Sequence, residues 1–123
     1  AVSKLANILF AAEFQRRCDA EGVKLISTSV NPGPVATHGG KLAFPDFVRP
    51  LFARLAPSPG KGVRPILYLA VAKEMAQNPD AYKGKYFNPS CKAETPSVAA
   101  QDPKMADALW RTTESWLGEN LAL

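Results

Sequence analysis

The chain has 123 residues, enough for one domain at most, and its hydrophobic content of 46% indicates a globular fold. Its net charge of +4 arises from 15 basic and 11 acidic residues. The basic residues are spread along the chain, which argues against a nucleic-acid interface. No apolar run reaches the ~18 residues of a membrane span, and a single histidine, His38, argues against a zinc site or a Ser-His-Asp triad. No metal is therefore predicted.

Two widely separated cysteines, Cys18 and Cys91, have no metal-ligand spacing and are typical of reduced thiols in a cytoplasmic protein. The first predicted element is a helix over residues 2–20. Its apolar residues fall on one broad face, Glu13 is placed on the polar side, and Phe10 and Phe14 are spaced to stack. Gly22 is the expected stop of this helix.

A β-rich run over residues 23–30 predicts a strand that ends in Asn31-Pro32-Gly33-Pro34, a sequence that cannot continue a ladder. Ligand sites of open α/β sheets lie at the carboxyl ends of their strands. The stretch from Ser27 to Thr37 is therefore the candidate ligand site.

Glycines and prolines flank a short amphipathic helix predicted over residues 44–55. This segment fits a lid over the site and fits equally a surface helix that packs on the core. A membrane-surface anchor through Arg49 and Arg54 is a third, less favoured interpretation, because the helix is short.

The second half of the chain predicts three further elements. A helix over residues 62–77 is stopped by Asn78-Pro79, and a short strand covers residues 85–88, followed by a loop over residues 91–100. Asp102 and Pro103 are the expected N-cap and first residue of a last helix, which runs to about Leu117 with Gly118 as its stop.

The order helix, strand, short helix, helix, short strand, helix predicts an α/β fold with two parallel strands in one sheet. Two strands cannot be covered on both faces by this much apolar helix, so apolar surface should stay exposed at the sheet edge. We therefore expect residues 1–123 to form a single incomplete domain whose N-terminal half is missing, or one that pairs with another copy.

The segment Ser3-Lys4-Leu5-Ala6-Asn7-Ile8-Leu9-Phe10, followed by the strand and Asn31-Pro-Gly-Pro-Val-Ala-Thr37, resembles the short-chain dehydrogenase/reductase family. In that family a Tyr-x-x-x-Lys motif opens this helix, so Lys4 corresponds to its lysine and the tyrosine would directly precede Ala1. The tail, with Lys83-Gly-Lys-Tyr-Phe87 and Leu109-Trp110, resembles the retinol-dehydrogenase-like branch, which includes the WW-domain oxidoreductase.

The resemblance implies the C-terminal part of a Rossmann-type, doubly wound parallel sheet that binds NAD or NADP. Hydride passes between the nicotinamide and an apolar ketone, aldehyde or alcohol. Lys4 would lower the pKa of the tyrosine and hydrogen-bond the nicotinamide ribose. Pro32 and Gly33 would let the backbone approach the ring, Val35 would bond the carboxamide and Thr37 would contact the pyrophosphate.

The family's glycine-rich loop, catalytic serine and tyrosine have no counterpart in this chain, so we expect no turnover from the chain alone. An apolar lid that carries Phe44, Phe47, Leu51 and Phe52 favours an apolar substrate. The alternative function is that of a catalytically inactive fragment acting as a binding or oligomerisation module.

Overall fold

The computed structural model describes residues 2–33, 45, 47–48, 50–51 and 58–121. The regular elements within these ranges are, in chain order, α1 (Val2–Ala20), β1 (Ser29–Val30), α2 (Pro59–Gly62), α3 (Arg64–Val71), α4 (Lys73–Gln77), β2 (Tyr86–Phe87), β3 (Ala93–Glu94) and α5 (Pro103–Leu121), with short 3-10 turns at Pro79–Ala81 and Val98–Gln101.

The chain divides into two units. The first unit consists of Ala1–Ser29, Lys73–Tyr86 and Ala93–Leu123, and the second of Val30–Ala72 and Phe87–Lys92. The single incomplete domain expected over residues 1–123 stays a prediction.

Helix α1 has the predicted bounds, and Gly22 ends it with a φ of 69°. The Val23 amide donates to the Cys18 carbonyl at 2.8 Å and the Gly22 amide to the Asp19 carbonyl at 3.2 Å. These two bonds form a Schellman motif, which requires the left-handed conformation that glycine adopts without strain. The predicted stop is confirmed.

The prediction that Glu13 lies on the polar side of α1 is wrong. Glu13 is only 3% exposed, and Gln15 only 4%. Burial of the carboxylate is offset by charged partners: Arg16 donates to both carboxylate oxygens, at 2.6 and 2.8 Å, and Arg17 donates at 2.7 Å. A buried charge is tolerated when it is paired and hydrogen-bonded in this way.

Helix α5 begins as predicted, because the Asp102 carboxylate accepts from the Lys104 amide at 2.9 Å and from the Met105 amide at 3.3 Å. The predicted stop at Gly118 is wrong, since α5 continues to Leu121. Side-chain bonds hold this last turn. Ser115 Oγ donates to Glu119 at 2.9 Å, and the Asn120 amide donates to the Trp116 carbonyl at 2.7 Å.

An aromatic stack joins α1 to α5 within the first unit. The Trp110 ring lies 5.3 Å from the Phe10 ring and 6.0 Å from the Phe14 ring, and the two phenylalanines are 5.9 Å apart as predicted. The Arg17 guanidinium covers the Trp110 ring at 4.7 Å, a cation–π contact.

The strand expected over residues 23–30 is confirmed only at Ser29–Val30. Its first half is held by a side chain instead of a ladder. The Gln15 amide donates to the Leu25 carbonyl at 3.1 Å and accepts from the Ser27 amide at 2.6 Å. Gln15 therefore takes the backbone groups that a neighbouring strand would use.

The described strands form a sheet of order β1-β2-β3. The Ser29 amide donates to Lys85 and the Asn31 amide to Phe87, so partners advance together and β1 and β2 run parallel, as predicted. Strand β3 lies inside the predicted loop 91–100, which corrects that prediction. A tight turn makes it possible: Cys91 has a φ of 60°, and Asn88 Oδ1 accepts from the Ser90 and Lys92 amides.

The single helix predicted over residues 62–77 is wrong, because this stretch is divided among α2, α3 and α4. Pro65 lies in the first turn of α3 and lacks a backbone donor, which accounts for the interruption at Val63. The second interruption falls at Ala72, whose ψ of 123° is extended. Neither proline nor glycine lies next to Ala72, so no helix-breaking residue signals it. Most of the predicted helix over residues 44–55 lies outside the described residues.

Candidate functional site

Lys4 lies in the first turn of α1, in the first unit, and is exposed. No hydrogen bond or ion pair joins its side chain to another described residue. The helix fixes the backbone position of Lys4. Its ammonium, unpaired among the described residues, is available to a ligand. This position is compatible with the role that the family resemblance implies for Lys4.

Pro32 and Gly33 directly follow β1, in the second unit. The Gly33 amide donates to Asn31 Oδ1 at 2.9 Å, and Gly33 has a φ of 76°. A Cβ at Gly33 would lie 3.0 Å from Pro89 Cγ. Both the left-handed backbone and the proximity of Pro89 therefore require glycine at this position.

The structure brings Pro32 and Gly33 together in one turn at the carboxyl end of β1. Lys4 is described within the other unit, and Val35 and Thr37 lie outside the described residues. The functional roles of all five residues stay predictions.

A pocket of about 330 Å³ opens at this turn, entirely within the second unit. Its size is at the lower end of the range for small-molecule sites. Two segments besides Pro32 line it, the junction of α2 with α3 and the turn after β2, through Lys61, Gly62, Arg64, Pro89, Ser90 and Cys91. Both β1 and β2 end here, as in the ligand sites of open α/β sheets.

The charged residues of this pocket were missed in the sequence analysis. Lys61 and Arg64 are exposed, and neither is paired with an acidic side chain among the described residues. A signal was present, because Gly60-Lys61-Gly62-Val63-Arg64 spaces two cations three residues apart with no acidic residue between them. The helix predicted over residues 62–77 assigned no role to these two cations.

In the first unit, the carboxylates of Glu13, Asp19 and Asp107 are paired with cations instead. Arg16 hydrogen-bonds the Glu13 carboxylate and holds its pKa below the usual value, against the opposing effect of burial. Lys83 lies 3.0 Å from the Asp19 carboxylate and lowers its pKa, while Asp19 raises that of Lys83. Arg17 also contacts Asp107 at 3.2 Å. These ion pairs are structural contacts. The carboxylates that form them are therefore not free for acid–base chemistry.

Comparison with known proteins aligns 92% of the chain with short-chain dehydrogenase/reductases. The protein dpmpH of Macrophomina phaseolina is 47% identical over 113 residues, which cover 56% of its length. The protein dpfgH of Gibberella zeae is 41% identical over 113 residues, 32% of its length. The chain thus spans between about a third and just over half of these relatives.

The predicted resemblance to the short-chain dehydrogenase/reductase family is confirmed. The predicted resemblance to the retinol-dehydrogenase-like branch is confirmed as well. Human retinol dehydrogenase 14 is 35% identical over 121 residues, 94% of this chain and 34% of that protein. The likeness to the WW-domain oxidoreductase stays a prediction.

No family model and no solved structure matches the chain. The mixed α/β fold with its small sheet is consistent with part of a Rossmann-type domain. Among residues 2–33 and 58–121, no helix is long and apolar enough to cross a membrane. The same described ranges contain no group of His, Cys, Asp and Glu side chains arranged to hold a metal ion.

Proposed function

We propose that this chain supplies the catalytic lysine and the nicotinamide-side loop of an NAD(P)-dependent oxidoreductase. The observation that carries the proposal is the alignment of 92% of the chain with short-chain dehydrogenase/reductases at up to 47% identity. Lys4 and the Asn31–Thr37 loop are the residues to which the family resemblance assigns these roles.

Lys4 acts on the proton side of the reaction. A tyrosine has an ordinary pKa of about 10, too high for a base at neutral pH. A fixed ammonium nearby stabilises the phenolate and lowers that pKa. The exposed side chain of Lys4, unpaired among the described residues, is suited to this role and to donating a hydrogen bond to the ribose.

The loop after β1 acts on the cofactor side. Gly33 keeps the turn tight after β1, which supports a close approach of the backbone to a bound nicotinamide ring. Val35 would hydrogen-bond the carboxamide and Thr37 the pyrophosphate. The cofactor itself, NAD or NADP, supplies or accepts the hydride.

The substrate proposed is a small apolar ketone, aldehyde or alcohol. A relative bears the name retinol dehydrogenase, and an apolar alcohol of that kind fits the predicted greasy segment 44–55. The proposed location is cytoplasmic.

The alternative function is an inactive module that binds another chain. Large exposed apolar side chains favour it, including Val2 at 84%, Val71 at 76% and Val98 at 86% exposure. Such surface is equally suited to contact with an N-terminal half of the same domain or with a second copy.

Replacement of Lys4 tests the oxidoreductase proposal. In the natural protein that carries this chain, we expect Lys4→Met to lower kcat at least about 100-fold, the usual contribution of a proton-transfer group. Reduced nicotinamide is followed by its absorbance. The matched control is Lys104→Met, which removes an exposed lysine from the first turn of the other 19-residue helix. It should leave kcat unchanged.

Unfolding midpoints of both variants should equal that of the parent, because both lysines are exposed. Equal kcat values for Lys4→Met and Lys104→Met would overturn the role of Lys4. The chain alone, given NAD(P) and a ketone, should show no turnover, whereas a measurable rate would contradict the view that it carries an incomplete site. Absence of NAD(P)H binding by the natural protein would favour the inactive module.

A further inference from the structure

We propose that the pocket lined by Lys61 and Arg64 is an anion-binding site that takes a phosphate or carboxylate group of a small ligand. The family resemblance assigns no role to these two residues. The proposal does not depend on hydride transfer, and it concerns residues of the second unit only.

The first argument is the set of groups that face the pocket. Lys61 brings an ammonium, Arg64 a guanidinium and Ser90 a hydroxyl. All three are hydrogen-bond donors, and the two cations carry donors only. None of these side chains donates to a described residue, so their hydrogen-bonding capacity is available to a ligand. An oxyanion is the group that such a donor set complements.

The second argument is that the cations lack counter-charges. Lys61 and Arg64 are three residues apart, a spacing at which like charges on a helical segment repel. Placing an anion between them would remove this cost. The pair Lys61 and Arg64 adds nothing to the stability of the fold, whereas it would raise the affinity of the pocket for an anion.

The third argument is the charge of the whole unit. The segments of the second unit contain six Lys and Arg residues and one Asp, a net charge of +5, while those of the first contain nine basic and ten acidic residues, a net charge of −1. At its described positions the second unit has three basic residues and no acidic one. Its field therefore attracts anions toward the pocket.

Cys91 lines the same pocket and reports on it directly. The other cysteine of residues 1–123, Cys18, is 6% exposed, and a Cys18→Ala background leaves Cys91 as the single thiol of these residues. The experiment compares the rate at which Cys91 reacts with a dianionic aromatic disulfide, dithiobis-nitrobenzoate, and with a neutral one, dithiodipyridine. The ratio of the two rates removes differences in general thiol exposure.

We expect replacement of both cations in Lys61→Gln/Arg64→Gln to lower this ratio about tenfold, since one unit charge a few ångströms away in water contributes about threefold. The matched control is Lys24→Gln/Lys104→Gln, which removes two charges from exposed residues that do not line the pocket. It should change the ratio less than about twofold, because distant exposed charges are screened by salt. Far-ultraviolet circular dichroism establishes that each variant is folded.

Protection by added anions identifies the ligand group. Inorganic phosphate, pyrophosphate and acetate are tested separately against Cys91 labelling by the neutral disulfide, at constant ionic strength. Protection by phosphate or pyrophosphate assigns a phosphate ligand, and protection by acetate assigns a carboxylate. The double glutamine variant should lose either protection.

Three results would overturn the proposal: equal rate ratios for the parent and the pocket variant, an equal loss in the control variant, or no protection by any simple anion. Protection by NAD or NADP alone would also overturn it, because the dinucleotide would then cover Cys91 without an independent anion site. A functional Lys4 is not needed for any of these measurements, so they can fail while the oxidoreductase proposal stands.

Discussion

The ion pairs of the first unit contrast with two cations of the second unit that have no acidic partner among the described residues. In the first unit, Glu13 is buried between Arg16 and Arg17, and Lys83 pairs with Asp19. In the second unit, Lys61 and Arg64 line an open pocket without an acidic partner among the described residues. The difference shows where ions stabilise the fold and where they are free to meet a ligand.

The aromatic stack gives the largest predicted effect and tests how far the first unit depends on contacts between α1 and α5. We expect Trp110→Ala to lower the free energy of unfolding by about 3 kcal/mol, the lower end for loss of a large aromatic side chain, because Trp110 is half-buried. The ring packs on Phe10 and Phe14 and under Arg17, and all three contacts are lost. Urea unfolding followed by circular dichroism measures the change.

The same helix offers a control. Trp116 is 58% exposed, and Trp116→Ala should cost less than about 1 kcal/mol. Trp110→Phe keeps a stacked ring and removes an indole N–H that is buried without a partner among the described residues. It should therefore cost much less than Trp110→Ala. Similar losses for Trp110→Ala and Trp116→Ala would contradict the importance of the stack.

The buried carboxylate gives the next largest effect. Glu13→Gln should lower the unfolding free energy by about 2 kcal/mol, because Arg16 and Arg17 both lose their bonds to the Glu13 carboxylate. The control Glu114→Gln removes an exposed carboxylate from α5 and should stay within about 0.5 kcal/mol. Urea midpoints compare the two, and equal losses would mean that the buried pairs add nothing.

The pKa of Glu13 adds a pH dependence to this prediction. Because the folded-state pKa lies below the ordinary value of 4.5, the stabilisation by Glu13 is present above that value and is lost as the pH falls through the folded pKa. Unfolding of the parent at a series of acidic pH values should show this loss, and the contribution should be missing in Glu13→Gln. Parallel pH profiles for the two proteins would contradict it.

Two glycines, Gly33 in the second unit and Gly118 in the first, give the smallest expected effects. Gly33→Ala forces a left-handed φ on an L-residue and brings Cβ within 3.0 Å of Pro89, so we expect a loss of about 1–2 kcal/mol. Gly118→Ala, inside α5 with nothing within 4 Å, should instead stabilise by about 0.5–1 kcal/mol. Changes of the same sign in urea unfolding would contradict this assignment of the two glycines.

Local signals in the sequence were read correctly where a few neighbouring residues decide the conformation. Gly22 ends α1 and Asp102 caps α5 because each acts on backbone groups within its own turn. The parallel pairing of β1 with β2 followed from the order of helices and strands. The family resemblance rests on Lys4 in α1 and on the Asn31-Pro32-Gly33 turn after β1, and on the distance between them in the sequence.

The errors arose where distant residues decide. Glu13 is polar in every local pattern, and its arginine partners lie only three and four residues away. What the local pattern does not show is the packing of α1 against α5, where Arg17 also contacts Asp107. The first half of the expected strand was taken over by Gln15, ten residues or more away. The break at Ala72 has no local cause in the sequence, and the pocket cations are recognisable only when the absence of nearby acids is noticed.

The position of Gln15 has a consequence for strand addition. Along one edge of residues 25–31, the backbone groups of the odd-numbered residues are hydrogen-bonded. Their partners are the Gln15 side chain and the backbone of Gly84, Lys85 and Phe87. On the opposite edge, the backbone groups of Ile26 and Thr28 bond no described residue. A further strand can therefore pair with this segment along one edge only. On the other edge, the Gln15 amide occupies backbone groups that a further strand would otherwise bond.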